Sequence, residues 1–198
     1  MEQHDPDRRY LIATLSAAGL AALALPRDAL AQAEPLPLTP SCGAPAATTK
    51  RQTEGPFFTP ASPAKADLRG DGPGDLLVLS GFVLTRTCRP VPGALLDLWH
   101  ADSAGAYDNA GFRFRGHQFS DAQGRYQFVT RVPGLYPGRT RHFHVKVRAG
   151  NGPVLTTQLY FPDEAANARD GIFDRSLLMR LSPAQGGRLG RFDFVIAA

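Results

Sequence analysis

Cysteine is scarce in this chain: two residues in 198, Cys42 and Cys88. Neither lies near the one close histidine pair, His142 and His144. No Cys, Asp or Glu falls within three residues of that pair, which argues against a cysteine-rich structural zinc site. Blocks of positive charge are missing too. The net charge of +4 is scattered, with no Lys/Arg cluster of the kind that marks a nucleic-acid footprint, so no nucleic-acid partner is expected. The longest apolar run, Leu11 to Leu25, stops at 15 residues and contains Thr14, Ser16 and Gly19. A membrane span needs about 20 apolar residues, so no stable membrane anchor is expected. There is no internal repeat.

What is present favours β structure. A hydrophobic content of 43% can supply a core, and 20 Gly with 17 Pro suit turns better than helices. Strands are expected at Leu76–Thr85, Ala94–His100, Tyr126–Val132, Arg141–Arg148, Leu155–Phe161 and Arg191–Ile196. The last alternates, with Phe192, Phe194 and Ile196 on one face. Asp121-Ala122-Gln123-Gly124 reads as a hairpin-type turn, and residues 163–181 hold at most one or two helical turns. The expected fold is all-β: a single β-sandwich with long loops and little helix, over residues 53–198.

Residues 1–31 read as an address. Arg8-Arg9 followed by the short apolar run is a twin-arginine start, and Ala29-Leu30-Ala31 is a small-x-small cleavage site, with Ala31-Gln32-Ala33 as the alternative. Export by the twin-arginine route is expected, to the periplasm or beyond. Residues 32–52, rich in Pro, Ala and Thr, form an extended arm. The arm carries Cys42, and an exported chain permits a bridge to Cys88 that would staple the arm to the sandwich.

The chemistry is expected on the strand Arg141–Arg148. Side chains on a strand alternate, so His142, His144 and Lys146 share one face while Phe143, Val145 and Val147 share the other. The apolar face wants the core, which turns the imidazoles into a cleft, an arrangement that suits a metal. Tyr107 and Tyr136 indicate which one. A phenol with an ordinary pKa of about 10 is a poor ligand for a divalent ion at neutral pH. A trivalent ion can hold it as phenolate. Two phenolates, two neutral imidazoles and a hydroxide balance Fe(III).

In order along the chain, Thr53-Glu54-Gly55-Pro56-Phe57-Phe58, the run Pro92 to Asp102 followed by Gly105-Ala106-Tyr107, Arg115-Gly116, Ser120 to Tyr126, Pro133 to Pro137, and Thr157 to Phe161 resemble the intradiol ring-cleavage dioxygenases. These enzymes are of the protocatechuate 3,4-dioxygenase and catechol 1,2-dioxygenase type. The resemblance implies Fe(III) held by Tyr107, Tyr136, His142 and His144. It implies catalytic roles for Arg139, for Gln158 and for Tyr136, which also serves as a base when substrate binds. It further implies a small catechol-type substrate and O2 as partners, and a cis,cis-muconate product. The chain departs from the family pattern at Arg141, where proline is common, and in its short link from Tyr136 to His142. Both suggest an open pocket, with Arg141 adding charge at its rim. The chain has no long helical region before the sandwich, so it looks closer to a protocatechuate 3,4-dioxygenase subunit. Assembly into a homo-oligomer is left open.

The rival reading is an exported transthyretin-like sandwich that binds without catalysis. A zinc hydrolase built on the histidine pair lacks a carboxylate at useful spacing. Tyr126 reads as a packing residue; Trp99 reads as core before pocket, and Tyr160, next to Gln158, as packing before pocket lining. His100 and His117 read as lone imidazoles, and Glu54 as a turn residue or a base.

Overall fold

In the computed structural model, which describes residues 46–197, nine strands form two sheets: β1 Leu76–Thr85, β2 Leu95–Trp99, β3 Arg115–Phe119, β4 Arg125–Arg131, β5 His142–Arg148, β6 Leu155–Tyr160, β7 Arg180–Ala184, β8 Gly187–Arg191 and β9 Phe194–Ile196. One sheet runs β4-β1-β8-β7, with β9 pairing the far end of β1. The other runs β3-β2-β5-β6. Short 3-10 turns at Ala165–Ala168 and Arg175–Leu177 supply the little helix expected between 163 and 181.

Alternation builds the core. Leu77 and Leu79 of β1 and Phe128 of β4 face Leu96 and Leu98 of β2, Phe143, Val145 and Val147 of β5 and Leu159 of β6, all within one buried cluster. Leucine-sized side chains buried this way each contribute about 1.5–3 kcal/mol. The chain segment 63–68 laces the two sheets along one side. Its Lys65 N–H donates to His117 O of β3, and its Leu68 N–H donates to Val129 O of β4. This pairing covers both outer strand edges, which would otherwise be open to other chains.

Two expectations are corrected here. Residues 191–196 are not one strand. After β8 the chain steps over β1 at Phe192-Asp193 and re-pairs as β9. The crossing needs Gly81, because a Cβ there would lie 1.8 Å from Phe192 O. Asp193 Oδ1 then accepts the Phe82 N–H. Phe194 and Ile196 still bury on the core side. The turn Asp121–Gly124 is tight, with Gly124 at φ 72, but its flanking strands β3 and β4 belong to different sheets, so it is a corner and not a hairpin. Strands β3, β7 and all of β8 before Arg191 were not expected, since Arg-Gly-His-Gln-Phe, Arg-Leu-Ser-Pro-Ala and Gly-Arg-Leu-Gly show no apolar alternation.

The described part of the arm lies along the sandwich. Thr49 N–H donates to Val195 O, and Gln52 N–H donates to Thr156 O. Cys88 is disulfide-bonded. Cys42 and the twin-arginine segment lie outside the described residues.

Candidate metal centre and active site

The outer face of the β3-β2-β5-β6 sheet carries its polar residues in cross-strand rows. Register places Arg115, Trp99, His144 and Gln158 side by side. His142 and Tyr160 form the next row, and His117, Asp97, Lys146 and Thr156 the row on the other side. Three loop segments close over this face. The loop after β2 brings Tyr107, the loop after β4 brings Tyr136 and Arg139, and a strap over residues 53–58 crosses the strands.

The two imidazoles are buried, at 5% and 3% exposure, under the strap and not in an open cleft. Their Nε2 atoms lie 3.1 Å apart, and Tyr107 Oη lies 3.3 Å from His142 Nε2. Thr140 O sits 2.6 Å from His142 Nδ1. A carbonyl only accepts, so Nδ1 carries the hydrogen and Nε2 presents its lone pair to Tyr107 and His144. Burial pushes the His142 pKa down to about 4 and that of His144 well below the ordinary value. Both rings are therefore neutral, the form a metal requires. Burial pushes the Tyr107 phenol up to about 12, against the pull of Arg139 and Arg115. Without a cation it keeps its proton at neutral pH.

The Tyr136 ring is half-buried, 5.8 Å from the Tyr107 ring and edge-on to it. Phe57 stacks on Tyr107 at 4.6 Å and meets Tyr136 edge-on. Arg139 leaves the turn before β5. Its Nη2 donates to Gln158 Oε1 at 2.6 Å and its Nε to Asp170 Oδ2 at 2.8 Å. Gln158 is fully buried, and its Nε2 donates to Thr53 O of the strap. Burial alone would raise the Asp170 carboxyl. The N–H groups of Thr140 and Ile172 and the Arg139 guanidinium outweigh it and hold the pKa below the usual carboxylate value.

The structure thus brings Tyr107, His142 and His144 to a common focus, Tyr136 to the ring beside it, and Arg139 with Gln158 to one corner. The donors suit a hard trivalent cation. Among the described residues no group of three or more His, Cys, Asp or Glu could hold a metal, so a cation here must draw on the phenols. His144 Nδ1 is buried with no hydrogen-bond partner. Among the described residues, only the second imidazole and the phenol engage the nitrogens of this pair from the site side.

Other residues fall outside this set. His100 is buried between Ala101 O and Thr130 Oγ1, both 2.7 Å away. His117 is held by Ser62, and Tyr126 donates to Phe192 O. Arg141 turns away from the focus: its guanidinium pairs with Glu164, donates to Pro133 O and covers the Phe161 ring. Glu54 pairs with Lys146, whose ammonium lies 4.5 Å over the Phe58 ring.

Two site residues were read chiefly as packing, and a third escaped the sequence reading. Trp99 lies in the site row and is absent from the inter-sheet core, because β2 presents Leu95, Asp97 and Trp99 outward and only Leu96 and Leu98 inward. Tyr160 shares the Gln158 face, and its hydroxyl donates to Gln52 Oε1 at 2.6 Å. Counting by twos from Gln158 favours the pocket over the packing alternative. Asp170 lies in an irregular loop and had no signal.

Comparison with known proteins is consistent with this geometry. The model of the family described as "Dioxygenase" matches residues 53–181. The chain belongs to the intradiol ring-cleavage dioxygenases. It is 34% identical over 156 residues to the protocatechuate 3,4-dioxygenase beta chain of Burkholderia cepacia, covering 64% of this chain and 66% of that one. It is 28% identical to a hydroxyquinol 1,2-dioxygenase of Rhizobium sp., of which it spans 53%. The chain therefore spans between about half and two thirds of these relatives' length. Among solved structures, the dioxygenase domain of a dioxygenase–carbohydrate-binding fusion from Streptomyces sp. SirexAA-E is 54% identical. Its TM-score is 0.75 over 77% of this chain and 99% of that domain. The 3-chlorocatechol 1,2-dioxygenase of Rhodococcus opacus 1CP matches at 28% identity and a TM-score of 0.70, over 77% of this chain and 73% of that one.

Proposed function

We propose that this intradiol dioxygenase family member binds Fe(III) through Tyr107, Tyr136, His142 and His144. With O2 it cleaves a catechol-type ring between the two hydroxylated carbons to a cis,cis-muconate-type product. The observation that carries this reading is the meeting of His142 Nε2, His144 Nε2 and Tyr107 Oη within 3.1 to 3.3 Å, beside the Arg139–Gln158 pair. When bound, ferric ion would supply a Lewis acid that takes phenols as phenolates and activates a chelated catecholate toward O2.

The chain's own residues do the rest. Thr140 O fixes the His142 tautomer, and the strap residues Phe57 and Phe58 keep water from the ligand side. Tyr136, half-buried at the edge of the site, is suited to take a substrate hydroxyl proton at Oη as the catechol enters. Arg139 supplies a planar guanidinium at the corner of the site. Its guanidinium, aimed by Asp170 and Gln158, stabilises negative charge that builds on the ring, a role worth about 10²–10³ in rate for a single donor.

We further infer export by the twin-arginine route, from Arg8-Arg9 and the short apolar run. That route carries folded proteins, which suits a cofactor loaded inside the cell. The test of activity is oxygen uptake by the iron-loaded protein on catechol, protocatechuate, hydroxyquinol and chlorocatechols, with product identification. Uptake with a muconate product is expected on at least one. Absence of uptake on all four, or an extradiol product, would overturn the reading.

A further inference from the structure

Arg115 opens β3 and is only 2% exposed, among the largest fully buried side chains of the protein. Arginine is almost never fully buried unless it is paired with a carboxylate. None of the ion pairs among the described residues includes Arg115. Its donors go instead to three neutral oxygens. Nε lies 2.9 Å from Asp108 O, Nη1 2.6 Å from Phe57 O and Nη2 3.5 Å from Asn109 Oδ1.

Those oxygens belong to two segments far apart in sequence, and each segment carries a ring of the site. Asp108 and Asn109 directly follow Tyr107. Phe57 is the strap residue whose ring lies on the Tyr107 ring at 4.6 Å and 21°. One guanidinium therefore ties the backbone behind the phenol to the backbone behind the ring stacked on it.

Stability alone does not account for an arginine here. Desolvation works against the charged form and lowers the guanidinium pKa. Asp108 and Asp97 offset part of that without pairing with the guanidinium, and for a buried charge an apolar residue of similar volume is often the more stable choice. An apolar residue could not hold two loop carbonyls, and lysine, a point charge on a flexible stem, lacks the planar fork that reaches three acceptors at once.

We propose that Arg115 is a positioning residue for the metal centre. Through Asp108 O and Phe57 O it holds the Tyr107 phenol where it faces His142 Nε2. This rests on the ferric reading above. Arg131 offers the comparison, since it also ties two loop carbonyls, Arg69 O and Gly74 O, in segments that carry none of the site rings.

The test uses the full chain with Arg115→Lys, Arg115→Met and Arg131→Lys. Hydrogen exchange on the metal-free protein reads the clamp. Ferric titration, with the phenolate-to-iron absorption band, reads its consequence. Arg115→Lys is expected to speed exchange in residues 56–58 and 107–110 together. It is also expected to shift the band and weaken ferric binding about 10–100-fold, the usual effect of losing a group that orients a ligand. Arg131→Lys should leave band and affinity as in the wild type. Faster exchange with an unchanged band and affinity would make Arg115 merely structural and overturn the proposal. So would unchanged exchange in either segment. Wild-type protein that binds no ferric ion would overturn the ferric reading itself, a result the exchange measurement keeps separate from the clamp. Should Arg115→Met fail to fold, Arg115→Lys alone decides.

Discussion

Trp99 lies flat against His144, ring centroids 4.9 Å apart and planes within 8° of parallel. The indole braces the imidazole, whose Nδ1 makes no hydrogen bond and whose only such contact among the described residues joins its Nε2 to His142 Nε2. The Trp99 Nε1–H is also buried without a partner, a cost that a phenylalanine would avoid.

Trp99→Phe should therefore keep the fold near wild-type stability yet weaken the ferric site, because the smaller ring grips His144 less. Trp99→Ala should cost about 3–5 kcal/mol in denaturant unfolding, as other large-to-small changes do. Trp99→Phe binding ferric ion as tightly as wild type, with an unshifted charge-transfer band, would show that the stack does not orient His144.

Arg139 is tied to Asp170, whose side chain is only 2% exposed. Arg139→Ala should retain ferric ion and colour but lose about 10²–10³ in turnover. It should also lower stability by about 1–3 kcal/mol, because Asp170 is left with a charge that has lost its partner. Arg141→Ala breaks a pair in which both side chains are about a quarter exposed, so it should cost less on both counts. Steady-state kinetics and urea unfolding decide. A larger kinetic loss at Arg141 than at Arg139 would contradict the site as described.

Much of this was legible from strand period and motif. His142, His144 and Lys146 face out and Phe143, Val145 and Val147 face in because one strand can alternate only one way. The range of β1 read directly from its apolar run. Trp99 was misplaced because Leu95-Leu96-Asp97-Leu98-Trp99 is apolar on both faces, so alternation could not say which side was core. The crossing at Phe192-Asp193 was hidden because it depends on the missing Cβ of Gly81, a contact over 100 residues away. Asp170 reaches Arg139 from an irregular loop, where no period exists to read.

Acid should loosen the loop over residues 170–176, and the arm residue Lys50 tied to it, before the core. Lys50 and Ser176 bind the Asp174 carboxylate and lower its pKa to about 2. A depressed carboxyl gives stability that is complete above its unfolded pKa of about 4 and is lost as pH falls through the folded value. Asp170, also depressed, acts in the same direction. Stability should thus fall between about pH 4 and pH 2, and Asp174→Asn should flatten the fall. Lys50 is 60% exposed, so the effect is modest. Identical pH profiles for wild type and Asp174→Asn would remove Asp174 from the account.

Export should require both Arg8 and Arg9. Replacing the pair by lysine should leave the protein in the cytoplasm, by fractionation, with residues 1–31 uncleaved. Undiminished export would rule out the twin-arginine route and leave a general secretory signal.

Gly55 offers the sharpest test that the strap bears on the metal ligands. Its φ is 71, a left-handed conformation that costs a non-glycine residue about 1–2 kcal/mol. A Cβ built on it would also lie 3.4 Å from His144 Cε1 and 3.9 Å from Nε2. Gly186, in the turn between β7 and β8, has φ 78 and open space where its Cβ would go. Alanine at either position should therefore lower the melting temperature by a similar amount. Only Gly55→Ala should also disturb the ferric band and affinity, because its methyl and any shift of the strained strap meet the His144 ring directly. If Gly55→Ala loses stability like Gly186→Ala but keeps wild-type ferric affinity, the strap is a cover for the site and not a part of its alignment.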